Sequence, residues 1–397
     1  MSLLTSPMPS HAPGSTAERD LRWSRISAAM EADGYDALVF AANDYRGHKG
    51  SLRYLADYNL CHKYGYAVMF RGEAPILVLP QQQENDRRPA TEWVSDYRFP
   101  YNLGAGLVET LRAKGGDLRV GIVGLRQIMK VEDYLALTEG LPGCTFSDAD
   151  PLFNRVRAVK SPAEMAATRE SAYILDRCFD RLLEIAHPGM TEQQIAAEMF
   201  RVGSLHGGQD PLFLTMYAER RGDTARPTFG QPEDRVLGVN DVFTFSFEIV
   251  GPSGYWTELS RMVTFAAPSA ANVQISQAVT AGIQAAEQAM VPGVEMADVQ
   301  KSVIAAVEAA GATSAYWSGH GMGLDVLEQP WIGLDVVQDE SKDRDVTAAS
   351  DGMLLAVHPA LWNADAEVMG YMADSFVIEN GAAQRLSKHP LQLYRIC

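Results

Sequence analysis

The sequence predicts an α+β protein with two domains. Helical and strand-like stretches alternate up to about residue 150, whereas helices and antiparallel strands are segregated in the second half. A chain of 397 residues with 47% hydrophobic and 21% charged residues has the composition of a folded globular protein. Since domains usually contain roughly 100–200 residues, we expect a flexible N-terminal arm at 1–16 and domains at 17–155 and 156–397.

In the first domain, the pattern predicts helices alternating with short apolar strands. The amphipathic stretch ERDLRWSRISAAMEADGY leads into the apolar run DALVF, and two further strands, YAVMF and APILVLP, follow. The helical stretch GLVETLRAKGG then precedes the strand LRVGIVG. This order is typical of an α/β domain. The segment GIVGLRQ lacks the glycine spacing of a dinucleotide-binding turn.

A clear helix start marks the junction between the two domains. In RVRAVKSPAEM, Ser161 and Glu164 have the spacing of a capping box, and Pro162 occupies the first helical position. These residues predict a long helix that ends near Ala186.

The rest of the second domain shows the segregated pattern. A second capping signal, Thr191 with Gln194, predicts a helix to about His206. The stretches DVFTFSFEIV and YWTELSRMVTFA are expected to be strands, followed by helices around 271–290 and 296–310. The last quarter of the chain favours strands and loops.

Charge and cysteine usage restrict the possible partners and the compartment. Asp and Glu number 50 against 34 Lys and Arg, a net charge of -16, which disfavours nucleic acid and anionic membrane surfaces as partners. The first residues lack the charged and apolar regions of a secretory signal, and no apolar run approaches the roughly 18 residues that span a bilayer, so we expect neither feature. The cysteines are too far apart for zinc-finger spacing and favour reduced thiols in the cytoplasm; they are Cys61, Cys144, Cys178 and Cys397.

Five segments, in a distinctive order, resemble the pita-bread superfamily of creatinase, aminopeptidase P, prolidase and methionine aminopeptidase. They are KSPAEM, GYWTELSRMVTF, SGHGMGLDVLEQP, GMLLAVHPAL and ADSFVIENG. The resemblance covers residues 20–390 and implies a creatinase-type N-terminal domain followed by a pita-bread catalytic domain. It also implies a homodimer in which the N-terminal domain covers the partner's pocket. Because this fold hosts peptidases, an amidinohydrolase, a lyase and histone chaperones, it does not define the reaction.

The resemblance also shows where this chain departs from the peptidases. Their five metal ligands, two Asp, one His and two Glu, align with Ser246, Glu258, His320, His358 and Ala373. Serine and alanine cannot hold a carboxylate-bridged pair of metals. We therefore do not expect proline-specific peptidase activity.

The departures extend to creatinase, which works without a metal. Its proton-shuttling His aligns with Phe229, and the two Glu that bind a guanidinium align with Ser260 and His358. The resemblance therefore implies a creatinase-like enzyme with a different substrate.

The candidate site combines acid–base residues with possible substrate contacts. Glycines on both sides of His320 permit close approach of a ligand. Arginines in MYAERRGDTARPTFG suit a planar carboxylate, so we expect a small anionic substrate. The expected catalytic residues are His320, His358, Glu258 and Glu328, and the expected substrate-binding residues are Arg261, Tyr217, Arg226, Trp256, Phe229, Ser246, Arg46 and His48.

Three hypotheses remain open from the sequence. The first is a metal-independent hydrolase that cleaves a C–N bond in a small carboxylate-bearing molecule by His/Glu acid–base chemistry, with no cofactor. The second is a mononuclear Fe, Zn or Mn hydrolase or lyase with ligands Glu258, His320 and His358, joined by Asp374 or Glu248. The third is a non-catalytic binding protein, with loss of so many catalytic positions in its favour.

Overall fold

The structure is a computed structural model that describes residues 14–84, 93–221, 224–334, 344–363 and 368–396, without the side chains of 217–227. The chain divides into two compact units. The N-terminal unit extends to Arg157 and also includes Leu324–Val326, and the C-terminal unit comprises Ala158–Gly323 and the chain from Leu327 onward.

The N-terminal unit contains a mixed sheet with strand order β4-β3-β2-β1-β5-β6 in the described residues. Its strands are β1 (Ala37–Asn43), β2 (Tyr64–Phe70), β3 (Ile76–Val78), β4 (Asp96–Arg98), β5 (Arg119–Val123) and β6 (Thr145–Asp148). Its helices are α1 (Thr16–Asp33), α2 (Gly50–Ala56), α3 (Leu103–Arg112), α4 (Val131–Gly140) and α5 (Asp150–Ala158). The expected helices and strands of this domain are confirmed.

Strand β1 lies in the interior of the sheet, between β2 and β5, and both of its faces are buried. Six of its seven residues are buried, as expected for an almost continuous apolar run. It pairs antiparallel with β2 and parallel with β5, and the sheet core includes Val39, Val68 and Ile122.

The C-terminal unit begins with the predicted capped helix. Its helices are α6 (Pro162–Ile185), α7 (Glu192–Leu205), α8 (Ala270–Ala289) and α9 (Met296–Ala309). Both halves of the first capping box form: the Glu164 N–H donates to Ser161 Oγ at 3.1 Å, and the Ser161 N–H donates to Glu164 Oε2 at 2.8 Å. The Thr191–Gln194 box is also complete, so both predicted helix starts are confirmed. None of the described helices is both long enough and apolar enough to cross a membrane.

A large sheet fills the rest of this unit. Its strands and those of a small separate sheet are, in chain order, β7 (Gln209–Arg221), β8 (Thr224–Gly230), β9 (Val242–Val250), β10 (Trp256–Ser260), β11 (Met262–Thr264), β12 (Ala312–Ser314), β13 (Trp317–Gly321), β14 (Glu328–Gly333), β15 (Leu354–Val357), β16 (Ala360–Asn363), β17 (Met369–Tyr371), β18 (Ala373–Glu379), β19 (Ala382–Arg385) and β20 (Leu393–Arg395). The main order is β14-β13-β15-β18-β10-β9-β11-β20. β7 pairs with β8 and β9, and β12, β16 and β17 form the small sheet.

Two separate hydrophobic clusters hold the helices against these strands. One combines α8 and α9 with residues such as Leu355 and Phe376, and the other combines α6 and α7 with Phe213, Phe245 and Phe247. Helices and antiparallel strands are thus segregated, which confirms the predicted α+β class. Packing from both clusters fixes the strands that carry the candidate site.

Candidate active site

A cavity of about 260 Å³ lies within the C-terminal unit, among strands of both its sheets. This volume is below the roughly 300–1,000 Å³ of pockets for drug-sized ligands, so the cavity suits a small molecule. Its described lining consists of Leu214, Phe229, Ser246, Glu248, Glu258, Trp317, His320, Leu327, His358, Ala360 and Tyr371.

Three ionisable side chains from separate strands converge on this cavity. Glu258 lies on β10, His320 lies on β13, and His358 directly follows β15. One potential ligand atom of each lies within 4.8 Å of the others. Glu258 Oε2 is 4.0 Å from His358 Nε2, and the centroids of the two imidazole rings are 5.1 Å apart.

The carboxylate of Glu258 is held by two hydroxyl groups. Ser246 Oγ and Tyr371 Oη donate to its Oε1 at 2.9 and 2.8 Å. This arrangement directs Oε2 toward His358. Burial raises the pKa of Glu258, opposed by the nearby His320 and by the two hydroxyl hydrogen bonds.

The geometry of His320 fixes its tautomer. Its Nδ1 lies 2.8 Å from the carbonyl oxygen of Gly321. Because a carbonyl only accepts hydrogen bonds, Nδ1 carries the proton and Nε2 keeps the lone pair.

Both histidines are neutral imidazoles at neutral pH. Burial, reinforced by the neighbouring His358, lowers the pKa of His320 to about 4. Burial also lowers the pKa of His358 to about 4. Two neutral imidazoles beside a carboxylate can accept a proton or supply lone pairs to a cation.

These three side chains fit a single metal cation by the chemistry of their donor atoms. Two imidazole nitrogens and one carboxylate oxygen form a set used for Zn, Fe and Mn. Asp374 does not belong to this cluster, because its Oδ2 accepts from Arg261 at 2.7 Å. When bound, a cation would supply electrophilic activation of a carbonyl or of water.

Five expected site residues meet at the cavity, and three others lie elsewhere in this unit. Glu258, His320, His358, Phe229 and Ser246 all line the cavity. Outside the described lining are Glu328, whose Oε2 is 3.0 Å from buried Lys160 Nζ, Trp256, which is buried on β10, and Arg261.

Arg261 is occupied by the protein itself. Its five guanidinium N–H groups have five acceptors at 2.6–3.0 Å: the carbonyls of Pro390, Ser260, Ala373 and His389 and the carboxylate of Asp374. No donor remains for the substrate contact that the sequence favoured. Arg261, which follows Glu258 by three residues in the chain, therefore has a structural role.

The remaining expectations fall in other parts of the chain. Arg46 and His48 lie in the N-terminal unit, between β1 and α2. Tyr217 and Arg226 are on β7 and β8, but their side chains lie outside the described part of the structure.

Sequence reasoning missed several residues of the cavity, among them Tyr371 and Trp317. Tyr371 precedes Ala373, one of the aligned metal-ligand positions, by two residues, and Trp317 precedes His320 by three. Proximity to these positions was a usable signal. The hydrogen bond from Tyr371 to Glu258, however, joins residues far apart in the chain.

The layered fold and the Glu–His–His cavity define a pita-bread protein with a creatinase-type N-terminal domain. The metallopeptidase family M24 model matches residues 166–382, and the creatinase/prolidase N-terminal domain model matches residues 22–159. Because the first match alone covers more than half of the chain, the protein belongs to metallopeptidase family M24. Members of this family are hydrolases, and the superfamily suggested by the sequence is confirmed.

Individual proteins resemble this chain at low sequence identity. Ectoine hydrolase from Halomonas elongata is 26% identical over 287 residues, which cover 69% of this chain and 70% of that protein. An uncharacterized peptidase from Staphylococcus aureus is 25% identical over 228 residues, 57% of this chain and 62% of the peptidase. The X-Pro aminopeptidase structure from Thermotoga maritima has a TM-score of 0.78 at 16% identity, covering 94% of this chain and 99% of that one, and supports the fold alone.

Proposed function

We propose that the protein is a hydrolase that cleaves a non-peptide C–N bond in a small carboxylate-bearing molecule. The observation that carries this proposal is the convergence of Glu258, His320 and His358 on one small cavity. The ectoine hydrolase relative supports the substrate class, because ectoine is a small cyclic amidine with a carboxylate.

The cavity residues have different roles in the proposed hydrolysis. A neutral imidazole, from His320 or His358, accepts a proton from the attacking water and returns it to the leaving nitrogen. Glu258, fixed by Ser246 and Tyr371, orients the protonated imidazole and stabilises its charge. Such acid–base catalysis contributes roughly 10²–10⁴-fold to a rate. Leu214 and Leu327 add apolar side chains to the lining of the cavity.

A second candidate, a hydrolase dependent on one cation, is favoured by one specific observation. The potential ligand atoms of Glu258, His320 and His358 lie within 4.8 Å of one another, and the family name denotes metallopeptidases. In this case the same three residues would hold the cation.

Product analysis by mass spectrometry tests the proposed activity. Full-length protein is incubated with ectoine, with small amides and guanidino acids, and with the dipeptide Ala-Pro. We expect hydrolysis of at least one non-peptide compound, no cleavage of Ala-Pro, and loss of activity in His320→Asn. Cleavage of Ala-Pro alone, or no turnover of any compound, would contradict the proposal.

Metal analysis separates the two candidates. The chain is purified without chelators, and its metal content and activity are measured before and after dialysis against a chelator. Activity that persists below about a tenth of an equivalent of metal supports acid–base chemistry alone. Activity that disappears and returns with Zn, Fe or Mn supports the cation-dependent enzyme, provided that Glu258→Gln loses the metal as well.

A further inference from the structure

We propose that the cavity recognises the positively charged nitrogen group of its ligand, a planar amidinium, and not the carboxylate. This inference rests on the proposed function, because it names which end of that substrate meets Glu258. It also departs from the expectation of an anionic substrate that the sequence favoured.

The charges of the lining provide the first argument. Among its described residues, the cavity has two carboxylates, Glu248 and Glu258, and neither lysine nor arginine. These two glutamates are direct cross-strand neighbours on β9 and β10, so their side chains share one face of the sheet. An anionic group inserted beside Glu258 would meet the carboxylate of that residue, and burying an unpaired charge is costly.

Three hydrogen-bond donors of the described lining point to the same conclusion. The hydroxyl groups of Ser246 and Tyr371 already donate to Glu258 Oε1. The Nδ1 proton of His320 is directed to the carbonyl of Gly321. A ligand carboxylate would find these donors engaged, whereas a ligand N–H finds the Oε2 acceptor of Glu258.

Aromatic rings provide the third argument. Phe229 and Tyr371 have ring centroids 4.8 Å apart at an interplanar angle of 67°, and Trp317 lies 5.0 Å from the His358 ring at 84°. Tyr371 and His358 are 5.8 Å apart, so the rings form a continuous wall. Aromatic faces attract cations through their quadrupole, and Trp is the strongest of them. A flat delocalised cation fits this wall and the carboxylate together.

Three ligands of similar shape and different charge test the inference: benzamidinium, neutral benzamide and benzoate. Their binding to the full-length protein is measured by isothermal titration calorimetry, both as purified and after chelator dialysis. We expect benzamidinium to bind at least about tenfold more tightly than benzoate in both preparations. Benzoate binding as tightly or more tightly in either preparation would overturn the inference, since a bound metal or an arginine would produce that result.

Variants locate the source of the preference. Glu258→Gln is expected to reduce benzamidinium affinity about tenfold and leave benzamide affinity nearly unchanged. The matched change on the surface, Glu308→Gln, is expected to alter neither. Trp317→Leu and Phe229→Leu, checked for native circular dichroism, are expected to weaken benzamidinium more than benzamide. An undiminished preference in all three cavity variants would place the cation elsewhere and refute the inference.

The outcome is independent of turnover. If benzamidinium is preferred but no compound is hydrolysed, the cationic pocket stands and the proposed hydrolase fails. If a compound is hydrolysed while benzoate is preferred, the hydrolase stands and the inference fails. A benzoate preference that disappears in Arg226→Gln would assign the carboxylate to that arginine.

Discussion

Two buried polar clusters lie close together in the large sheet and differ in how their hydrogen bonds are used. The cavity cluster consists of Glu258, His320 and His358, and the structural cluster consists of Arg261 and Asp374. β10 carries Glu258 and β18 carries Asp374, and the two strands are paired. The guanidinium of Arg261 has a protein acceptor for every N–H, whereas the cavity cluster presents Glu258 Oε2 beside open space.

This difference teaches how to separate function from architecture when both use buried charge. Burial and charge are shared by the two clusters, since Arg261 and Asp374 are at most 1% exposed and Glu258 is 2% exposed. What distinguishes them is that every N–H of Arg261 donates within the protein, whereas Glu258 lines a cavity. A buried cation whose donors are all used by the protein stabilises the fold, and an ionisable group beside a cavity can bind a ligand.

The largest expected effect is on stability, through Arg261→Met. The substitution leaves the Asp374 carboxylate buried without its closest partner, and we expect a loss of about 3–5 kcal/mol in unfolding free energy. Denaturant unfolding measures it, and Arg201→Met, on the surface, is the control. A variant as stable as wild type but inactive would show that Arg261 belongs to the active site.

If Arg261→Met does not fold, a milder pair of variants tests the same point. Adding Asp374→Asn to Arg261→Met removes the carboxylate that has lost its closest partner, and we expect the double variant to recover part of the lost stability. The coupling is measured as a double-mutant cycle. Strictly additive losses would contradict a direct interaction between these two side chains.

Glu258→Gln tests the cavity cluster in the same comparison. The amide retains the shape of the carboxylate, so we expect a change of less than about 1 kcal/mol in stability and a fall of about 10²–10⁴ in kcat/KM. Steady-state kinetics on the compound that the product analysis identifies provide the measurement. Glu328→Gln is the matched control: it should cost about 1–3 kcal/mol through Lys160 and leave kcat unchanged. The reverse pattern would exchange the roles of the two glutamates.

A smaller effect on kcat/KM is expected to distinguish the hydroxyl groups of Tyr371 and Tyr394. Tyr371→Phe removes one of the two donors to Glu258 Oε1, and we expect kcat/KM to fall about tenfold. Tyr394→Phe removes a hydroxyl that donates to Pro390 O, beside Arg261, and should reduce stability by less than about 1 kcal/mol without affecting kcat/KM. Equal kinetic effects of the two variants would remove the distinction between the clusters.

The smallest effect concerns a partly buried carboxyl group of the N-terminal unit, which lies far from both clusters in the chain. Burial raises the pKa of Asp150 from 3.8 to about 6. A raised folded-state pKa means that the stability contribution is complete below about pH 4 and is lost as the pH rises through 6. We expect Asp150→Asn to match wild type at pH 4 and to be about 1–2 kcal/mol more stable at pH 7. A difference that does not change with pH would contradict this assignment.

The sequence was sufficient to predict the local helices and strands. It was also sufficient to predict those cavity residues that occupy aligned family positions. Capping boxes are local, so Ser161 with Glu164 predicted the start of α6 correctly. Glu258, His320 and His358 were predicted together, and they meet. The role of Arg261 could not be predicted from the sequence, because four of its five acceptors lie at 373–374 and 389–390. These residues are far from Arg261 in the chain and approach it only in the folded protein.

Strand β20 has a consequence for the order in which the protein is made. It pairs in parallel with β11, Met262 opposite Leu393, and the Ile396 N–H continues the pairing by donating to Thr264 O. The carbonyls of His389 and Pro390, which hold Arg261, immediately precede this strand. During synthesis, two of the five acceptors of Arg261 therefore become available only after residues 389 and 390 have emerged from the ribosome. Since domains generally fold as units in the order of synthesis, we expect the N-terminal domain to fold before this contact can form.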